Sequence, residues 1–156
     1  VVGTTGWDGA RGEVRQLVES AGTGMVWSAN YSVGVQVFFR LVREAAVLLA
    51  GQQDYEAWGW EIHHSAKKDA PSGTMGRLLE VMREAGYTGS VNVAANRAGK
   101  VPGTHEIGFD SAADTITLRH TARGREGFAR GALQAARWLP GRKGFFEFSE
   151  VLFENR

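Results

Sequence analysis

With 156 residues, 43% of them apolar, the chain is the size of one ordinary domain and carries enough apolar material for a buried core. Its 18 basic and 17 acidic residues nearly cancel, and like charges do not cluster as they do in proteins that bind nucleic acid or anionic membranes, so neither is expected as a partner. There is no cysteine, which excludes disulfides and thiolate metal sites; the apolar runs are far too short to span a bilayer, and a cytoplasmic protein is expected.

Taken in chain order, Val1-Val2 running into Gly3-Thr4-Thr5-Gly6 reads as the end of a buried strand and a tight turn. Val14, Leu17, Val18 and Ala21 then recur at helical spacing. A second short strand over 25–29 closes on Asn30-Tyr31-Ser32. A second helix follows over 35–50, with Val35, Phe38, Phe39, Val42, Ala45, Ala46 and Leu49 as its apolar stripe. This βα alternation predicts a parallel sheet whose ligands gather at the carboxyl ends of the strands, where the turns at Gly3 and Asn30 both lie.

From Tyr55 the pattern changes. A strand is predicted over 57–63 and a helix over 72–85 with Ser72 as its N-cap. Three strands follow over 91–95, 104–109 and 115–121, the last turning Ile116, Leu118 and His120 to one face. This portion reads as α+β, a sheet with one face covered by helix. A helix over 125–139, with Phe128, Ala132, Ala135, Ala136 and Leu139 as its stripe, ends at Pro140-Gly141, and 145–153 is read as a strand returning to the first sheet.

The chemistry concentrates in Glu61-Ile62-His63-His64-Ser65-Ala66-Lys67-Lys68-Asp69-Ala70-Pro71-Ser72-Gly73-Thr74. Two imidazoles, an ammonium group and a serine-capped helix start fall within fourteen residues of one another. The free N–H groups of Gly73 and Thr74, at the positive end of the helix dipole, make an anion site suited to a carboxylate, and Lys67 adds a full charge to it. Adjacent histidines are by themselves more often a surface pair than a catalytic one, and on a strand they point to opposite faces. With no H-E-x-x-H helix either, no metal site is expected. Asn30 reads equally as a turn residue bonding its own backbone. His105 and His120 read as strand residues with hydrogen-bonded or solvent-facing rings.

This segment resembles the E-x-H-H-x-x-K-x-D-A-P-S-G-T signature of dihydrodipicolinate reductases at every fixed position. Gly3 to Gly6, Asn30 to Val35 (similar to N-F-S-x-G-V) and Gly127 to Ala132 (similar to F-A-x-G-A) extend the resemblance along the chain. The resemblance implies the C-terminal part of a Rossmann-type parallel sheet, residues 1–32 with 125–156. It also implies a mixed-sheet α+β domain, residues 33–124, for substrate binding and assembly into a homotetramer. The implied reaction is NADPH- or NADH-dependent reduction of 4-hydroxy-tetrahydrodipicolinate, a small dicarboxylate, in lysine and diaminopimelate biosynthesis. By the same resemblance His63 handles a proton, Lys67 is a second proton donor, and His64, Ser72, Gly73 and Thr74 hold the substrate. Gly3, Thr4, Thr5, Ser28, Ala29, Asn30 and Tyr31 face the cofactor. The family's glycine-rich first turn and the acidic residue for the adenosine ribose would lie upstream of Val1. The expectation is therefore a chain shortened at its N-terminus that by itself binds NAD(P)H weakly. Two rival readings are another Rossmann-type amino-acid dehydrogenase, and an oligomerisation or carboxylate-binding module without turnover.

Overall fold

The computed structural model describes residues 1–154 and divides into two compact units, one formed by 1–36 with the stretch from Glu126 onward, the other by Val37–Arg125. In the first unit, helix α1 (Arg11–Ser20) leads to strand β1 (Gly24–Trp27), and helix α4 (Glu126–Trp138) leads to β6 (Gly144–Glu147) and helix α5 (Phe148–Phe153). Strands β1 and β6 pair in parallel, Gly24 opposite Gly144 and Trp27 opposite Glu147, and Val2 adds a parallel bridge to Trp27. The parallel sheet read from the βα alternation is therefore present. Its core is Val26, Tyr31, Ala135, Phe148 and Val151. Helix α4 lies close enough to the Tyr31 backbone that a methyl group at Gly131 would overlap the Tyr31 carbonyl.

The second unit holds most of helix α2 (Val33–Leu49), helix α3 (Gly73–Glu84) and strands β2 (Glu56–His63), β3 (Val91–Arg97), β4 (Thr104–Asp110) and β5 (Thr115–Thr121). The sheet runs β3-β2-β4-β5, with β2 and β3 parallel and the other pairs antiparallel. Along β2, Ala57, Gly59, Glu61 and His63 are buried while Trp58, Trp60 and Ile62 on the opposite face are only part-buried. This two-residue period is that of a sheet with one covered face. The buried face packs Ala57, Ile107 and Phe109 against Phe38, Val42 and Ala46 of α2 and Met75, Leu78 and Met82 of α3.

Three expectations need correction. The apolar run 145–153 is a four-residue strand followed by a helix. Glu147 and Glu150 form a reciprocal capping box there, and Phe148 and Val151, three residues apart, are buried on one helical face. The buried face of α4 is centred on Gly131 and Ala135, which leaves Phe128 and Ala136 exposed. Helix α1 buries no residue fully, and Leu17 is exposed.

Candidate active site

Strand register assembles a charged cluster at the carboxyl end of β2. In β4, His105 stands directly opposite Glu61; in β3, Arg97 stands directly opposite His63. Facing residues on neighbouring strands share a side of the sheet, so all four side chains meet on the buried face. Glu61 is fully buried. It accepts the Ser72 N–H at 3.0 and 3.1 Å, the Ser72 hydroxyl, and an Arg97 guanidinium N–H at 3.0 Å. Burial alone would raise the Glu61 carboxyl; the Ser72 and Arg97 hydrogen bonds outweigh it and hold the group below the usual carboxylate range.

His63 is 6% exposed, with Nδ1 3.9 Å from Glu61 Oε1 and its ring edge-on to the His105 ring at 4.9 Å between centroids. Burial, aided by the positive charges of Lys67 and Arg97 and opposed by Glu61, lowers its pKa. Burial and the neighbouring His63 push His105 down to about 4. Gly103, at φ 145°, lies against the His63 ring: a Cβ there would come within 3.0 Å of Cδ2 and Nε2. Neither a side chain nor an ordinary backbone conformation fits at that position.

The loop after β2 returns to the same place. Ser72 caps α3 through Oγ, which accepts the Met75 N–H at 3.2 Å, and the same oxygen lies 3.0 Å from His105 Nε2. The N-cap predicted from sequence is thus also part of the cluster. Lys67 is part-buried, and its ammonium is held by both Asp69 carboxylate oxygens at 2.8 and 2.9 Å. His64 and Thr74 are part-buried and Gly73 is exposed. Glu61, His63 and His105 each offer a ligand atom within 4.8 Å of one another, a grouping that metals use. Both Glu61 oxygens are already engaged, however, and the Arg97 guanidinium, 3.0 Å from Glu61 Oε1, puts a positive charge beside the same carboxylate, which disfavours a cation there.

In the first unit, the parallel strands end beside the turns that start at Gly3 and Ser28. Gly3, Thr4, Thr5 and Ala29 are exposed there, an arrangement that fits a ligand lying across the carboxyl edge. The polar side chains nearby are engaged internally. Ser28 Oγ donates to the Asn30 carbonyl and accepts the Asn30 N–H, and the Asn30 side chain accepts the Ser32 N–H as in an Asx turn. Tyr31 is buried, and its hydroxyl is 2.9 and 3.0 Å from the Val2 and Val26 carbonyls, so its side chain is a packing group. Burial raises that hydroxyl to about 12.

Of the residues singled out from sequence, His63 at the end of β2 and Ser72 belong to the cluster itself, and His64, Lys67, Gly73 and Thr74 lie on the loop and helix start around it. Arg97 and His105 were missed as members, and Glu61 was noted only as the first letter of the motif. Their signal was present but weak: a basic residue closing an apolar strand, and a histidine alternating with Ile107 and Phe109.

The family model for the C-terminus of dihydrodipicolinate reductase matches residues 34–152. The 4-hydroxy-tetrahydrodipicolinate reductase of Methanoregula boonei is 40% identical over 97% of the chain and 64% of its own length. That of Christiangramia forsetii is 35% identical over 97% of the chain and 68% of its own length. The chain thus spans about two thirds of these relatives. Among solved structures, a dipicolinate-bound dihydrodipicolinate reductase from Paenisporosarcina sp. TG-14 superposes with a TM-score of 0.79 at 21% identity, covering 94% of this chain and 62% of that one. Through the family match over most of its length and relatives at least 35% identical over 97% of the chain, the chain belongs to the dihydrodipicolinate reductase family.

Proposed function

We propose that the chain carries the substrate site, and part of the cofactor site, of an NAD(P)H-dependent reductase that converts 4-hydroxy-tetrahydrodipicolinate to tetrahydrodipicolinate in lysine and diaminopimelate biosynthesis. The observation that carries this reading is the convergence of His63, the Glu61–Arg97 pair, Lys67 and the N-terminus of α3 on one end of β2. Relatives bearing the reductase name, and the dipicolinate in the solved homologue, support it. Gly3, Thr4, Thr5 and the 28–30 turn are the groups that would hold the nicotinamide end of the cofactor, which when bound supplies the hydride.

In this reading one substrate carboxylate takes the N–H groups of Gly73 and Thr74 and the Lys67 ammonium, which gives up Asp69 in exchange; His64 helps to hold the other. The negative charge on Glu61 favours a proton on His63 Nδ1, the nitrogen facing it, and leaves Nε2 as the site that hands a proton to the substrate ring. Burial, with the positive charges of Lys67 and Arg97, disfavours the charged form of the His63 ring; two substrate carboxylates beside it add negative charge and shift it towards the protonated form that can act as an acid.

Titration calorimetry with pyridine-2,6-dicarboxylate tests the site directly. Saturable binding is expected, weakened by Lys67→Ala on the order of tenfold or more, as loss of a charge-assisted contact of about 1.5–3 kcal/mol requires. Absence of binding, or binding indifferent to Lys67→Ala, would overturn the reading.

A further inference from the structure

Charged and titratable groups surround His63 on every side. Glu61 lies beside it on its own strand and Arg97 opposite it on β3, while His105 packs edge-on from β4. Lys67 and Asp69 reach it from the loop, and α3 contributes the uncharged Ser72 through Glu61 and His105. Arg97 does more than neutralise Glu61. One of its nitrogens also donates to the Asp69 carbonyl, so a single guanidinium holds the buried carboxylate and the loop that carries Lys67. Glu61 in turn holds both Ser72 groups at the far end of that loop. The pair therefore ties the end of β2, the end of β3 and the start of α3 into one frame around the imidazole.

A purely structural ion pair would be expected to satisfy its neighbours. Here three buried nitrogens, His63 Nδ1, Arg97 Nε and His105 Nδ1, have no hydrogen-bond partner among the described residues. Of these, His63 Nδ1 faces Glu61 Oε1 at 3.9 Å, too far for a hydrogen bond and close enough for the carboxylate to act on the ring through its charge.

We infer that Glu61 and Arg97 are positioning residues for His63: together they hold its ring against Gly103 and set, by opposed charges on one face of the sheet, how readily that ring takes a proton. This rests on the reading of His63 as the proton-handling group, but it concerns the ring's own titration, which can be followed without turnover. The directions on the page agree, since Glu61 acts to raise the His63 pKa and Arg97 to lower it.

The experiment is an NMR titration of the imidazole resonances of the four histidines, with His63 assigned by its loss in His63→Gln. In Glu61→Gln the His63 midpoint should fall by roughly one to three units, the usual effect of removing an opposite charge at this separation. In Arg97→Gln it should rise, and Arg97→Lys, which keeps the charge, should restore a midpoint near that of the parent. A merely structural role predicts no such opposition of sign. Midpoints that move in the same direction in Glu61→Gln and Arg97→Gln, or that stay put in both, overturn the inference. Should Glu61→Gln fail to fold, Arg97→Gln and Arg97→Lys decide alone: a rise with rescue supports the inference, and an unmoved midpoint overturns it. Calorimetry with pyridine-2,6-dicarboxylate on the same samples separates this outcome from the functional reading. A parent protein that fails to bind the ligand while His63 titrates as stated sinks the proposed function and leaves the role of Glu61 and Arg97 standing.

Discussion

At the scale of single residues, Lys67 and Asp69 form a pair that the reading of the motif left out. Lys67 is the fixed cation of the segment, and its ammonium already grips a carboxylate, that of Asp69 two residues later. Under the proposed function Asp69 thus competes with a substrate carboxylate for that ammonium; its pKa is lowered chiefly by Lys67. Because Asp69 is mostly exposed, the pair is worth only about 0.2–1 kcal/mol. Asp69→Asn should therefore tighten pyridine-2,6-dicarboxylate binding by up to about fivefold in calorimetry, as removal of that competitor predicts. Lys68→Ala, an exposed neighbour outside the site, is the control and should leave binding unchanged. Weaker binding in Asp69→Asn would mean that the Lys67–Asp69 pair shapes the site instead of competing for it.

At the scale of elements, α3 depends on one side chain for two tasks. Ser72 Oγ caps the helix through Met75 and also joins Glu61 to His105. Ser72→Ala removes a cap worth about 1 kcal/mol and strands a buried partner at about 1–3 kcal/mol more. A loss of about 2–4 kcal/mol is expected in urea unfolding, larger than an N-cap alone explains. A loss below 1 kcal/mol would show that the Glu61 network re-forms without the hydroxyl. The N-cap was legible because Ser72 precedes Gly73 at the head of an apolar helical period. Its second task was not legible, because Glu61 is eleven residues away and His105 thirty-three. Helix α5 shows the opposite failure. The sequence from Phe145 looked like one strand because its phenylalanines are good strand formers, and the Glu147–Glu150 box that starts a helix there was overlooked.

For the whole molecule, the buried histidines predict sensitivity to acid. His105 titrates near 4 in the fold and near 6.5 when unfolded, so between those values the unfolded chain binds a proton that the folded one refuses. Stability that is complete above about pH 6.5 is lost as the pH falls towards 4, at most by about 3 kcal/mol for a shift of this size. His63 and His120, both lowered by burial, act in the same direction. Glu61, also lowered, adds a further loss as the pH drops below its unfolded value of 4.5. The thermal midpoint should fall over pH 6.5 to 4, and less steeply in His105→Gln; a midpoint flat over that range would contradict the burial of these rings. The sequence by itself determined most element positions, from hydrophobic period and turn residues, and it pointed to the segment from Glu61 to Thr74, because those groups are neighbours along the chain. Alternation along a strand implies that the adjacent His63 and His64 point to opposite faces. Which groups would join Glu61 and His63 was decided only by the tertiary structure. Strand register sets Arg97 opposite His63 and His105 opposite Glu61, and nothing local to residue 97 or 105 encodes that pairing. Register follows from how whole strands bury their apolar faces against α2 and α3, a property of the packed sheet that no short stretch of sequence carries.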